Sequence, residues 1–442
     1  MVTTRARKKA VLAQEEAEVA RKLLLPFRLL DLPAEIIGNI SDYLDDQDLI
    51  NVRRVCRALT AHSVNAFGQR FFGHLVVILH PTSLMTLFEI SRHKTLSIYV
   101  HQVTVSGERI GYAIPLTVNQ EKHKDLQTSV EQSHMDLLIL TEVLRELKNL
   151  QIVRVDKSSF QHSLFRTDKA TIKCGRASMF DKYSVAWKKV DDNSYNRVYG
   201  LTLQALTQAQ VEEKVELDLE LWNPSWPQKT FKYFDIESIC WRESLCNRLR
   251  CLSITGGMDR DWIGRLLSLS TGITKLELRL TIKVLFLACE QTGALSFPSL
   301  RNLSIFSTVI HHEEWLGFLR LHAPVLEKVE LLSVGLQHGT WHQSLEILES
   351  MPRLDSLVLE KLWEQAPYQS SSEVPLVPPD RNPGRLSLHN QRKIRAALSA
   401  MRAHPRTVAS GWIFGPAQGL SVEAFDHVVD YSWGYAAIQL GN

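Results

Sequence analysis

A short apolar pattern returns at a nearly fixed interval in the second half of the chain: Leu249-x-x-Leu252-x-Ile254, Ile273-x-x-Leu276-x-Leu278, Leu300-x-x-Leu303-x-Ile305, Leu326-x-x-Val329-x-Leu331 and Leu354-x-x-Leu357-x-Leu359. The starts lie 24, 27, 26 and 28 residues apart. With 45% hydrophobic residues, three chosen positions are all apolar by chance in roughly one window in ten. Five in regular succession require a chain that builds one unit repeatedly. Pro298, Pro324 and Pro352 stand two residues before three of the starts, where a proline ends any preceding helix. Trp262, Phe286, Trp315 and Trp341 follow 13 to 15 positions after a start, inside segments such as DWIGRLLSL and EEWLGFLRL with helical spacing. Each unit therefore predicts a strand, a turn and a helix, and such units bury their apolar faces only by stacking.

A strand-plus-helix unit of this length with Leu-x-x-Leu-x-Leu resembles irregular leucine-rich repeats. The Asn or Cys that usually follows the strand in that family is mostly absent here. The resemblance implies a solenoid over residues 74–365, an α/β fold with parallel strands lining a horseshoe and helices outside. Upstream, the pattern recurs at Val100-x-x-Val103-x-Val105, Leu150-x-x-Val153-x-Val155 and Val198-x-x-Leu201-x-Leu203, with starts 50, 48 and then 51 residues apart. Either each early gap hides a degenerate repeat or it holds an insertion, and the alternation of Val215, Leu217, Leu219 and Leu221 predicts at least one extra strand. The leucines are core. Function falls to the side chains alternating with them: Arg154, Ser253, Lys275, Glu277, Arg279, Asn302, Ser304, Phe306, Lys328, Glu330 and Glu360, a mixture of charge and aromatic suited to a protein target.

Residues 30–59 carry a second pattern, LDLPAEIIGNISDYLDDQDLINVRRVCRAL. Ile36, Ile37, Ile40 and Leu44 have helical spacing. Pro33 suits the first helical position, and Glu35 complements the helix dipole. Asp45 restarts the chain as an N-cap, with Asp48 placed to complete a capping box. Leu49, Val52, Cys56 and Leu59 then form a narrow stripe, with Arg53, Arg54 and Arg57 off it. Two such short helices are marginal alone and carry more apolar surface than one hairpin buries, which implies either a partner surface or an inert cap on the larger domain. The string Leu32-Pro33-x-Glu35-Ile36-Ile37-x-x-Ile40-x-x-Tyr43-Leu44-x-x-x-Asp48-Leu49-x-x-Val52-x-x-Val55-Cys56-Arg57 resembles the F-box. Ser41 and Leu59 stand where that family often has Phe and Trp. The resemblance implies that residues 30–73 dock on the Skp adaptor of a cullin–RING ubiquitin ligase. The implied contacts are Leu32, Pro33, Ile36, Ile37, Ile40, Leu44, Leu49, Val52, Val55 and Cys56.

The remaining sequence mainly excludes. Lys and Arg total 51 against 48 Asp and Glu, a net charge of +3, so nothing favours nucleic acid or an anionic membrane as partner. The longest aliphatic run, Leu75 to Leu79, is far below the ~18 residues of a membrane span. The N-terminus (1–29) begins basic, with Arg5, Arg7, Lys8 and Lys9, and turns acidic at Glu15, Glu16 and Glu18. It is expected to be a disordered tail and not a secretory leader. Six cysteines without a CxxC pair fit reduced thiols in the cytoplasm or nucleus. No HExxH, GxSxG, GxxxxGK[ST] or GxGxxG motif occurs. His311-His312-Glu313-Glu314 is the densest cluster of candidate groups, yet adjacent helical residues point about 100° apart, the wrong geometry for paired metal ligands. The expectation is no catalytic site, no metal and no cofactor. Residues 366–384 have the Pro and Ser content of a linker. Within 385–442, residues 386–403 predict a basic helix, and Trp412, Phe414, Phe425, Tyr431 and Trp433 either dock back as a terminal cap or form an interaction tail.

The combination resembles the substrate receptors of Skp-cullin-F-box ligases, familiar among fungal F-box proteins. It implies a non-catalytic subunit holding a target near the ubiquitin donor; the alternative is a Skp-bound scaffold acting outside any ligase.

Overall fold

A computed structural model describes residues 29–109, 118–156, 172–176, 192–212, 214–223, 235–256, 260–280, 288–289, 293–360, 362–365 and 385–403, with scattered positions between 9 and 18. The linker 366–384 and the aromatic residues beyond 403 lie outside them. The chain divides into two units, 1–73 and 74–442.

In the first unit a 3-10 turn, Leu29–Asp31, leads into four helices: α1 (Ala34–Tyr43), α2 (Asp46–Val55), α3 (Arg57–His62) and α4 (Val64–Phe71). Pro33 sits one position earlier than expected, at the N-cap, and its carbonyl already accepts from the Ile36 and Ile37 amides. Asp45 caps α2 as its side chain predicts, accepting from the Asp48 amide at 2.7 Å. The stripe from Leu49 to Leu59 is not one helix. Cys56 is extended (φ −160°, ψ 165°) and splits it, and Thr60 Oγ1 bridges the break by donating to the Arg53 and Cys56 carbonyls at 2.6 and 3.0 Å. Arg53, assigned to the polar side by spacing, turns inward. It donates to the Thr60 carbonyl at 2.8 Å and stacks 3.9 Å from the centre of the Phe67 ring. Arg70 on α4 donates to the Leu44 and Asp42 carbonyls. These two arginines tie together helices too short to persist separately.

The second unit is built on a large sheet of mostly parallel strands. Its strands are β1 (His74–Ile78), β2 (Gln102–Ser106), β3 (Ile152–Asp156), β4 (Ile172–Lys173), β5 (Glu216–Asn223), β6 (Leu249–Gly256), β7 (Lys275–Leu280), β10 (Asn302–His311), β11 (Lys328–Gln337), β12 (Ser356–Glu360), β13 (Trp363–Gln365) and β14 (Arg385–His389), while β8 (Ala288–Cys289) and β9 (Gly293–Ala294) pair only with each other. The spatial order is β4-β1-β2-β3-β5-β6-β7-β10-β11-β12-β14, with β13 beside the far end of β11, and every pair in it is parallel except β12 with β14. The helices are α5 (Pro81–Arg92), α6 (Val118–Gln132), α7 (Met135–Glu146), α8 (Asp192–Ala209), α9 (Arg260–Leu269), α10 (His312–His322), α11 (Trp341–Ser350) and α12 (Gln391–Ala403).

The repeat positions are the core. Leu252, Ile254, Leu276, Leu278, Leu303, Ile305, Val329, Leu331, Leu357 and Leu359 are all buried, each worth roughly 1.5–3 kcal/mol. The recurring aromatics join successive units: Trp315 stacks on Phe318 at 6.2 Å and meets Trp341 edge-on at 6.5 Å. Phe286 lies outside the described residues.

Three expectations change. Val198, Leu201 and Leu203 lie on α8, not on a strand; i, i+3 apolar spacing also belongs to a helix, and the strand of this unit is β5, where Leu217, Leu219 and Leu221 alternate. For the gap before Leu150 the insertion reading fits, because β2 pairs directly with β3 and no strand lies between them; among the described residues of the gap, α6 and α7 occupy it. The expected basic helix begins late: residues 385–389 form β14, and Asn390 (φ 86°) turns the chain into α12 while its side chain accepts from the Arg392 amide at 2.9 Å.

Candidate functional site

Two surfaces carry groups that can meet another molecule. The first is on the helical unit, where α1 is apolar on two sides. Ile37 points into the bundle and is buried, with Ser41 beside it donating to the Ile37 carbonyl at 2.8 Å. Ile36 (43% exposed), Ile40 (37%) and Tyr43 (91%), at i, i+4 and i+7, point outward. Adjacent helical residues diverge by about 100°, so Ile36 and Ile37 cannot share a face. Of the ten positions expected to face the adaptor, Ile37 and Leu49 are buried within the bundle and hold it together instead of lining its surface. Pro33 is exposed, Val55 is 72% exposed, and Leu32, Leu44, Val52 and Cys56 are half-buried. Tyr43 and Leu30 join the exposed apolar set. Tyr43 was absent from the expected contacts, although its i+7 spacing from Ile36 was visible in the sequence.

The second surface is the sheet face opposite the buried leucines, where strand registers turn scattered residues into rows. One row crosses Arg154, Asp218, Cys251, Lys275, Asn302, Lys328 and Ser356. The next contains Ser253, Glu277, Ser304, Glu330 and Val358, and a third Arg279, Phe306, Leu332 and Glu360. All the expected target-facing side chains stand in these rows. Ser304 is buried and donates to Glu330 at 2.9 Å. Arg154 lies 3.7 Å from Asp156 and 3.9 Å from Glu220. Arg279 donates through Nε to Glu277 at 2.7 Å and lies 4.1 Å above the Phe306 ring, a cation–π contact that holds the guanidinium in place. Lys328 pairs with Glu330 at 2.9 Å.

The face is open over only part of the sheet. On β1 to β3 its residues Val76, Ile78, Thr104, Ser106 and Asp156 are buried. Lys173 on β4 is pulled down to about 8 by burial and then by Arg176, against the opposing charges of Glu108 and Asp156. Sequence spacing did not show this division, which depends on chain packing over the early strands.

The buried Cys174 and half-buried Cys251 thiols are poor nucleophiles. Burial pushes Cys174 up to about 12, and burial with the neighbouring Asp218 carboxylate does the same to Cys251, leaving almost no thiolate near neutral pH. His312 lies buried at the start of α10, with Nε2 3.2 Å from Gln343 Oε1. Among the described residues no group of three or more His, Cys, Asp or Glu side chains is placed to hold a metal ion, and no helix is long and apolar enough to cross a membrane.

The helical unit thus presents outward apolar side chains, and the sheet unit presents a largely polar open face. Residues 29–65 match the F-box-like family. No curated protein matches the chain. The protein thus carries an N-terminal F-box-like domain, consistent with an adaptor role in a protein-interaction complex.

Proposed function

We propose that this protein is the target-recognition subunit of a Skp-cullin-F-box ubiquitin ligase. The observation that carries this reading is the outward apolar side of α1 within an F-box-like domain: Ile36, Ile40 and Tyr43 are exposed on a helix whose inward side is already packed. Desolvating such aliphatic and aromatic anchors supplies most of the energy of a tight protein interface. In this reading they dock on the Skp adaptor, which brings the cullin and RING subunits. The sheet unit, with nearly 26-residue strand–helix units, acts as an irregular leucine-rich-repeat solenoid and takes the target protein on its open face, in the cytoplasm or nucleus. The subunit performs no bond chemistry; tethering target and ubiquitin donor makes their encounter intramolecular. Co-purification from cells tests this. The wild type should retain a Skp-type adaptor and cullin, and an Ile36→Asp, Ile40→Asp variant should lose both while keeping its melting temperature. Adaptor without cullin would favour a scaffold outside the ligase; no adaptor at all would overturn the reading.

A further inference from the structure

The charges of the helical unit are unevenly placed. From Leu29 to Val52 the sequence holds Asp31, Glu35, Asp42, Asp45, Asp46 and Asp48 and neither Lys nor Arg, and the bases from there to Gly73 are Arg53, Arg54, Arg57 and Arg70. Two of those bases are taken up inside the unit. Arg53 bonds the Thr60 carbonyl and stacks on Phe67, and Arg70 bonds the Leu44 and Asp42 carbonyls with its charge 3.5 Å from Asp46. Arg54 and Arg57 are exposed at the end of α2 and the start of α3, not on α1. Asp45 is spent on capping α2. Of the acids that remain, Glu35 and Asp42 lie on α1, both exposed and neither in an ion pair among the described residues.

These two carboxylates run alongside the apolar stripe. Each stands one residue before an outward apolar side chain, Glu35 before Ile36 and Asp42 before Tyr43, so at about 100° per residue both fall on one flank of the stripe. Ile37 and Ser41, each one residue after an outward isoleucine, form the buried line on the other flank. Ile36, Ile40 and Tyr43 are thus bounded by the bundle on one side and by acid on the other, with exposed Asn39 between. Seven residues set the two carboxylates about 10 Å apart along the axis. Glu35, in the first turn, suits the helix dipole, whereas Asp42, in the last turn, opposes it. The fold of α1 therefore does not call for a carboxylate at position 42. We propose that the partner of α1 is a protein whose apolar groove, filled by Ile36, Ile40 and Tyr43, carries on one border two Lys or Arg side chains about 10 Å apart, set over Glu35 and Asp42. The charge pairing fixes which way α1 lies in the groove, since three apolar side chains alone read much the same in either direction. This rests on the adaptor-docking reading and names the surface the adaptor offers. The same two charges repel an anionic membrane or a nucleic acid.

The test is biolayer interferometry on the full chain with the purified Skp-type adaptor that co-purifies with it, at about 0.05 and about 0.3 M NaCl. Wild-type association should slow at least about three-fold at the higher salt, with dissociation little changed. At low salt Asp42→Lys should weaken binding about five-fold, and a Glu35→Gln, Asp42→Asn variant about three-fold, mainly through the association rate. Both differences should shrink at high salt. Glu146→Lys, at an exposed acid of the sheet unit, should change nothing. Asp42→Lys puts a cation in the last turn of α1, where it suits the dipole, and the neutral double variant keeps the test valid if the lysine variant folds poorly. Salt-independent association, wild-type binding by both variants, or tighter binding by Asp42→Lys would overturn the proposal while leaving adaptor docking intact. A wild type that retains no adaptor overturns both, so the two failures are distinguishable.

Discussion

Ile36 on α1 and Leu303 on β10 are both aliphatic residues on regular elements, yet Ile36 is 43% exposed and Leu303 is fully buried. The difference lies in what each element has to pack against. A central strand has strands on both sides and helices over one face, so all its apolar residues can point one way and its polar residues the other. A ten-residue helix in a four-helix unit has the bundle on one side only, and Ile37 already occupies that side. The leftover aliphatics on α1 keep about two fifths of their surface in solvent, and that part is available to a partner. On the sheet the position is reversed, since the residues free to interact are mostly polar, with Phe306 and Leu332 among them. The two units thus offer different chemistry, desolvation on one and charge on the other.

Substitutions should separate these roles in stability measurements. Trp315→Ala removes a fully buried side chain that touches Phe318 and Trp341. It should cost about 3–5 kcal/mol by denaturant titration; a loss below about 1 kcal/mol would contradict the packed core. Acid should weaken the sheet unit next. Burial, reinforced by His123, pushes His80 down to about 4, and burial lowers His322, whose Nε2 accepts from the Phe297 amide at 2.8 Å. Both histidines are held neutral, so their stabilisation is complete above the unfolded value of about 6.5 and is lost as pH falls below it. At about 1.4 kcal/mol per pH unit, His80 alone accounts for up to about 3 kcal/mol by pH 4. His80→Asn should flatten that dependence, and an unchanged pH slope would refute the assignment. Asp45→Ala removes the α2 cap and should cost about 1 kcal/mol, read as a lower melting temperature of the helical unit. Val55→Ser, at a 72% exposed position, should change stability by less than about 0.5 kcal/mol. Under the proposed function it should still weaken adaptor binding, and a large stability loss would place Val55 in the core.

Much of the sheet unit was legible in the sequence because its core period is local. Leu303 and Ile305 declare an inward side two residues apart, and their alternates, Asn302, Ser304 and Phe306, follow without reference to anything distant. The first helices of the other unit were legible for the same reason, through Asp45 and the spacing from Ile36 to Leu44. Errors arose where one pattern suits two structures. Val198, Leu201 and Leu203 fit a helix as well as a strand, and the stripe through Cys56 gives no sign that the chain turns extended there. β14 was missed because a strand that closes a sheet antiparallel needs no repeat pattern, only an available edge.

The ion pairs and rows were beyond reach of any linear reading. That Ile36, Ile37 and Ile40 belong to a helix follows from their spacing, but that Ile37 is spent on the bundle while Ile36 and Ile40 remain outside depends on where α3 and α4 dock. That Lys275 and Lys328 lie on the polar side of strands follows from alternation. Their placement two strands apart in one row, with Asn302 between, depends on register between segments 53 residues apart in sequence. Period is a property of neighbouring residues and is written along the chain. Register and docking are set by contacts between distant residues, and they exist only once the chain has folded.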